Sequence, residues 1–217
     1  MELDLSAFEE GLRYYWCEIE RRSAEIQSRE RTFPELAARF AARNPPYFTR
    51  AELMQIIEWK YTDRRWCNRA LLGLRRVQDD RLRELTSSIG TVHLPAVAAA
   101  VLRGAIRGVG IAGISAILAA ARPDLFPVID VFALTAICHY YDPPWTRAVP
   151  RDSKGRLQAD ERSYLPYVDF CRERSAELSV AATEPWSPRR VDMALWGIGK
   201  RLVDTREARA YCIDGKA

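Results

Sequence analysis

The chain has 217 residues, 48% hydrophobic and 29% charged, with a formal net charge of +4 at pH 7. That length suits one compact unit or two lobes around a sizeable core, and the composition is ordinary for a soluble protein. No apolar run approaches a membrane span, the acidic, amphipathic start does not read as a signal peptide, and the mild basicity permits a nucleic-acid partner without demanding one. Of the 33 basic residues only four are lysines, Lys60, Lys154, Lys200 and Lys216. The other basic residues are arginines, whose planar fork suits bidentate phosphate contacts.

Helix signals recur along the chain. Ser6 with Glu9, Thr32 with Glu35 and Thr49 with Glu52 fit the capping-box pattern, each before apolar residues at helical spacing. The periodicity predicts helices near 6–28, 33–43, 50–62, 66–86, 94–106, 111–121, 131–141, 161–178, 188–200 and 204–212. No stretch alternates as a strand, so the fold is expected to be all-α with short connections. Asn44-Pro45-Pro46-Tyr47 reads as a stiff break between the N-terminal helices and the next lobe. The stretch 142–155, with three prolines and Gly155, reads as a long surface loop. The five cysteines, Cys17, Cys67, Cys138, Cys171 and Cys212, form no CxxC pair and no metal-like cluster. Buried free thiols in a reducing cytoplasm are the expectation. His93 and His139 have no partner pattern and read as structural.

The most informative stretch runs from Gly108 to Asp130. Gly108-Val109-Gly110 allows a tight turn and a close backbone approach. Ile111 to Ala121 reads as a buried helix, which Pro123 and Pro127 end by forcing an extended crossing. Asp130 then precedes a second apolar helical run, where a carboxylate serves as an N-cap. The interval from Gly108 to Asp130 is 22 residues.

Gly-Val-Gly opening a small-residue helix, with Pro-x-x-Asp at its far side and at this interval, resembles the helix-hairpin-helix DNA glycosylase superfamily. More loosely, Tyr47-Phe48-Thr49, Glu58-Trp59-Lys60 and Ala194-Leu195-Trp196-Gly197 are similar to bacterial proteins described as having an oxoguanine-glycosylase fold. The resemblance implies a two-lobed helical fold with a base pocket between the lobes. Residues 1–46 and 131–217 would form one lobe and 47–130 the other, with the hairpin at 101–121. It implies that Arg107, Gly108, Val109, Gly110 and Ile111 hold a DNA phosphate on unpaired amides at the helix start. The alternative from the glycines alone is a close helix–helix turn. The resemblance also implies that Asp130 is catalytic: a carboxylate aimed at the anomeric carbon stabilises the charge that develops on the sugar and can orient water. The alternative is a plain N-cap.

In members that also cut the strand, the position of Ala112 carries a Schiff-base lysine. Alanine implies a monofunctional enzyme that releases a base, a purine lesion by preference, and leaves the strand whole. Lys60 shares a helical face with Leu53, Ile56 and Ile57 and could be a desolvated nucleophile, or could simply end its helix and reach to water. A flipped base needs a stacking surface. Trp59, Trp66, Trp145 and Trp196 are candidates, with core packing as the alternative for each. Trp196 is preferred because Asp192, four residues earlier, could bond a base edge. Several members carry four closely spaced C-terminal cysteines for an iron–sulfur cluster; this chain lacks them. No cofactor is expected beyond a structural monovalent cation that the hairpin could hold. The expected partner is double-stranded DNA, bound by a monomer in the cytoplasm at the nucleoid. The same features also fit a helix-hairpin-helix module that binds nucleic acid without excision and, more weakly, a protein-interaction domain.

Overall fold

The computed structural model describes residues 3–91, 95–153 and 155–205. Within them the chain is all-helical, with ten α-helices and a short 3-10 turn at Pro144–Ala148. None is long and apolar enough to cross a membrane. The helix expected at 204–212, His93 and Cys212 lie largely or wholly outside the described residues. The helices form two compact units. One takes the chain up to Arg21 and again from Ile129 onward, the other Arg22–Val128.

The second unit holds α2 (Ala24–Ala41), α3 (Arg50–Lys60), α4 (Arg64–Arg75), α5 (Asp79–Thr91), α6 (Pro95–Ala105) and α7 (Ile111–Ala121). Its axis is α7, against which α2, α3, α5 and α6 pack. Every residue of α7 except Ala112 is buried, as expected for a helix with no polar face. Residues 22–46, expected with the terminal helices, belong here instead, because α2 packs on α3 and α7. Leu53, Ile56 and Ile57 of α3 are fully buried.

Two expected helices are each divided. The stretch 6–28 breaks after Arg21 and restarts at Ala24, so Pro34 lies exposed inside α2 rather than at a helix start. Thr32 spends its hydroxyl on the Ser28 carbonyl at 2.7 Å and caps nothing. The stretch 66–86 breaks at Arg76–Gln78 for a tertiary reason. The Arg50 guanidinium donates to the carbonyls of Leu74 at 2.8 Å and Val77 at 2.6 Å and pairs with Asp79 at 2.7 Å. It thereby satisfies the orphan acceptors that end α4 while anchoring the start of α5.

The Thr49–Glu52 capping box is formed. Glu52 is buried, and its carboxylate accepts from both terminal nitrogens of Arg43, at 3.0 and 2.9 Å, and from the Thr49 amide at 2.9 Å. This ties the end of α2 to the start of α3 across the Asn44–Tyr47 break. That break is a corner inside one unit.

The first unit is built on α10 (Pro188–Asp204), which packs on α1 (Leu5–Glu20), α8 (Val131–Tyr140) and α9 (Glu161–Ala181). Asp4, and not Ser6, caps α1, accepting from the Ala7 amide at 2.9 Å. Gly197 and Gly199 let α10 close on both neighbours. A methyl on Gly197 would lie 2.0 Å from the Gly11 carbonyl oxygen, and one on Gly199 1.8 Å from that of Phe132. The described part of 142–155 holds a short 3-10 turn. This turn buries Thr146, whose hydroxyl donates to the Pro143 carbonyl at 2.7 Å, and Arg151 bridges Leu157. Cys138 and Cys171 are buried, but Cys17 is exposed and Cys67 partly so, against the expectation of uniformly buried thiols.

Burial alone would raise the pKa of Glu52, but the hydrogen bonds from Arg43 and Thr49 outweigh it and hold the carboxyl below its ordinary range. A carboxylate lowered in the folded state contributes stability above its unfolded pKa and loses it as pH falls through the folded value. Melting temperature should therefore decline as the pH drops through and below the ordinary glutamate range. Glu52→Gln should lower the melting temperature at pH 7 and flatten that acid limb in a thermal-melt series.

Candidate functional site

The hairpin is formed from α6, a turn and α7. Leu102 and Ile106 are fully buried and Val109 nearly so, which fixes both arms. The Val109 amide donates to the Ile106 carbonyl at 3.3 Å, closing the turn, and Gly108 has φ of +89°, a value that favours glycine. The turn is also docked. A methyl on Gly73 of α4 would lie 1.6 Å from the Arg107 carbonyl oxygen, and one on Gly108 2.9 Å from the Arg69 carbonyl oxygen. Backbone meets backbone here, and neither side can carry a side chain.

The amides at the start of α7 are not all open, contrary to expectation. The Gly110 amide donates to the Tyr61 hydroxyl oxygen at 3.3 Å. That oxygen lies so close over α7 that a methyl on Gly113 would come within 2.7 Å of it. Burial pushes the Tyr61 hydroxyl above the usual phenol range, while the Gly110 and Gly113 amides pull it back. Tyr61 thus acts as a neutral cap on part of the helix terminus. The Gly113 amide also closes onto the Gly110 carbonyl at 3.0 Å. The amides of Ile111 and Ala112 remain for an outside acceptor. Ala112, half-buried, is the one α7 residue that is not buried. Arg107 and Gly110 are exposed and Ile111 is buried; the last contributes backbone, not side chain.

Asp130 is the N-cap of α8. One carboxylate oxygen accepts from the Phe132 amide at 3.0 Å, and the residue is partly exposed. The cap role read from the sequence is therefore real. In the segment before it, Arg122 pairs with Asp124 at 2.9 Å, the Phe126 amide donates to the Arg122 carbonyl at 2.9 Å, and Phe126, Pro127, Val128 and Ile129 are all buried.

Asp192 and Trp196 do not form the expected base-reading pair. Asp192 is 2% exposed and ion-paired with Arg189, itself buried, whose guanidinium also reaches the Tyr15 hydroxyl at 3.4 Å. Removing that carboxylate from Arg189 would leave a buried cation uncompensated, so Asp192 is spent on the fold and the sequence-based role for it is corrected. Trp196 is half-buried and gripped edge-on by Tyr15 and Phe132, with ring centroids 5.3 and 5.2 Å away. Trp59 is likewise committed: its indole nitrogen donates to Glu30 at 2.6 Å and its ring lies 4.5 Å from that of Phe33. Both tryptophans take the packing role. Lys60 is the last residue of α3, half-buried.

Sequence reasoning missed the polar cluster around Asp192. Tyr164, Tyr167 and Cys171 are buried beside it. Burial first, then the Asp192 charge, pushes Tyr164 and Cys171 well above their ordinary ranges; Tyr167 is pushed up by burial first, then by Cys171, with Asp192 and Asp130 adding to the effect. These groups stay protonated. The pairing of Arg189 with Asp192 at i, i+3 was the available signal. Among the described residues no group of three or more His, Cys, Asp or Glu could hold a metal ion.

The chain matches none of the protein-family models, curated proteins or solved structures with which it was compared.

The docked turn makes a direct prediction. Gly73→Ala and Gly108→Ala should each destabilise the fold, by about 1–3 kcal/mol for forced overpacking and, at Gly108, a further ~1 kcal/mol for the left-handed backbone. Gly104→Ala, where a methyl meets nothing within 4 Å, should cost nothing measurable. Urea denaturation of the three variants checks this.

Proposed function

We propose that the chain is a monofunctional DNA glycosylase that extrudes a modified base, a purine by preference, from duplex DNA and hydrolyses its N-glycosidic bond. The observation that carries the reading is Asp130. A partly exposed carboxylate caps α8, fixed by the Phe132 amide, and follows a glycine-cornered hairpin at an interval of 22 residues in the sequence. That hairpin has the positive φ at Gly108 and the buried small-residue helix that the motif calls for.

In this reading the Ile111 and Ala112 amides, with Arg107 beside them, take a backbone phosphate, which positions the duplex and reads no sequence. As the C–N bond lengthens, its electron pair leaves with the base, which takes up a proton. The Asp130 carboxylate stabilises the charge developing on the sugar and orients the water whose oxygen bonds to the anomeric carbon; that water gives up a proton to solvent, which balances the one the base takes up. Alanine at position 112 offers no amine, so the product is an abasic strand left uncut. Asp192 has no part in this reading, and Trp59 and Trp196 are engaged in packing, each within its own unit, rather than free for stacking.

A second reading, a nucleic-acid binder without excision, draws support from the Tyr61 hydroxyl on the Gly110 amide and from the structural duty of Asp130 as a cap. The two readings differ in one assay. The protein is incubated with a panel of duplexes carrying oxidised or alkylated purines, and strands are compared with and without alkali. The enzyme reading predicts cleavage only after alkali, reduced at least ~100-fold in Asp130→Asn while duplex affinity is kept. Binding with no alkali-labile product from any duplex supports the binder. Strand cutting without alkali, with a borohydride-trapped adduct, would contradict the monofunctional reading and point to Lys60.

A further inference from the structure

Many exposed arginines of this protein have carboxylate partners: Arg21 with Glu18, Arg50 with Asp79, Arg81 with Glu84, Arg156 with Asp152, Arg201 with Glu10. Among the described residues Arg13, Arg31 and Arg162 stand singly without one, whereas α4 gathers several on one helix. Arg64, Arg65, Arg69, Arg75 and the C-cap Arg76 are exposed, and among the described residues none makes an ion pair. No acidic residue lies between Asp63 and Asp79, and both of these are engaged. Asp63 caps α4 through the Arg65 and Trp66 amides, and Asp79 pairs with Arg50. A run of uncompensated like charge on one helix face costs stability through self-repulsion. It is most simply accounted for by a partner that supplies the missing charge.

Two further features identify that partner. Trp66 is 53% exposed in the first turn of α4, and the Arg69 guanidinium lies over its ring, 5.8 Å from the centroid. An exposed aromatic face among unpaired arginines is what single-stranded or unstacked nucleotides use, with bases on the ring and phosphates on the cations. The α4 face is also continuous with the hairpin turn, since the Arg69 carbonyl lies against Gly108 and Gly73 against the Arg107 carbonyl. Exposed Arg107 therefore extends the same basic surface. The apolar face of α4, with Ala70, Leu71 and Leu74, is buried in the protein, leaving Trp66 and Leu72 as its exposed large apolar residues, which is short of the continuous hydrophobic face that inserts into a lipid surface.

We propose that the outer face of α4 is a second nucleic-acid surface, in which the arginines take successive backbone phosphates and Trp66 stacks on an unpaired base. At 12 residues, α4 is about 18 Å long, which spans roughly five nucleotides at ~3.4 Å each along a strand. The surface rests on the reading of this protein as a nucleic-acid binder but not on any chemistry at Asp130.

The test measures affinity of the full chain for two fluorescein-labelled duplexes, one fully paired and one with a single bulged adenine, at several salt concentrations. The variants R64Q/R65Q/R69Q, W66A and W66F are compared with R21Q/R147Q/R156Q, which removes equal charge from arginines that have partners, and thermal melts confirm folding. The α4 triple variant should lose at least ~tenfold in affinity for both duplexes and reduce the log–log salt slope by about 2–3. The control triple should change little. W66A should lose about tenfold on the bulged duplex alone, and W66F should restore most of that. Equal losses in the two triple variants, or an unchanged bulge preference in W66A, would overturn the proposal, as would retention on anionic lipid vesicles without binding to either duplex. If alkali-labile sites form while the α4 variants bind normally, this inference fails and the glycosylase reading stands. If the α4 variants lose binding while no duplex yields an alkali-labile site, the reverse holds.

Discussion

A methyl group on Gly73 would lie 1.6 Å from the Arg107 carbonyl oxygen, so α4 and the hairpin turn touch backbone to backbone. That contact orders much of the second unit. It fixes the turn, with its positive φ at Gly108, and through the turn it fixes where α7 begins. It also lays the arginine face of α4 alongside the turn. Helix termini attract anions because their first amides lack partners, and here the terminus is only partly open, since Tyr61 has taken the Gly110 amide. A neutral hydroxyl satisfies a donor without supplying charge, so the α7 dipole is left unneutralised at the half-buried Ala112.

The first unit depends on a different device. α10 closes on α1 and α8 through Gly197 and Gly199, and this close packing buries the Arg189–Asp192 pair together with Tyr164, Tyr167 and Cys171. A buried pair contributes little net stability, because desolvation consumes most of its attraction, yet either member alone is costly. Tyr164, Tyr167 and Cys171 stay protonated there. Asp130 stands at the start of α8 with its geometry set by the Phe132 amide. A carboxylate so fixed is preorganised, which is what electrostatic stabilisation of a transition state requires.

How far the structure could be read in advance depends on how local each cause is. The helix 111–121 was legible to the residue, because a glycine before it and an apolar run inside it act within the segment itself. The Thr49–Glu52 capping box and the Asp130 cap were legible for the same reason. The two missed breaks have no local signal. Arg50 ends α4 from another helix, and no glycine or proline marks 21–23 or 76–78. Conversely Pro34, a strong local signal, is overridden by the packing of α2. The candidate site divides likewise. The turn glycines and Asp130 announce themselves by spacing, whereas the burial of Asp192 depends on Arg189 meeting Tyr15, far away in sequence. Tyr61 comes just after a helix end and carries no mark of its role. Trp66 was one of four tryptophan candidates in the sequence, and only its exposure separates it from Trp59 and Trp196.

The most direct test of the whole account is amide hydrogen exchange of the protein with and without duplex DNA. The account predicts slowed exchange at Ile111 and Ala112 and across the first turn of α4, with little change along α9. Unaltered exchange at the α7 start, with protection confined to the first unit, would contradict it.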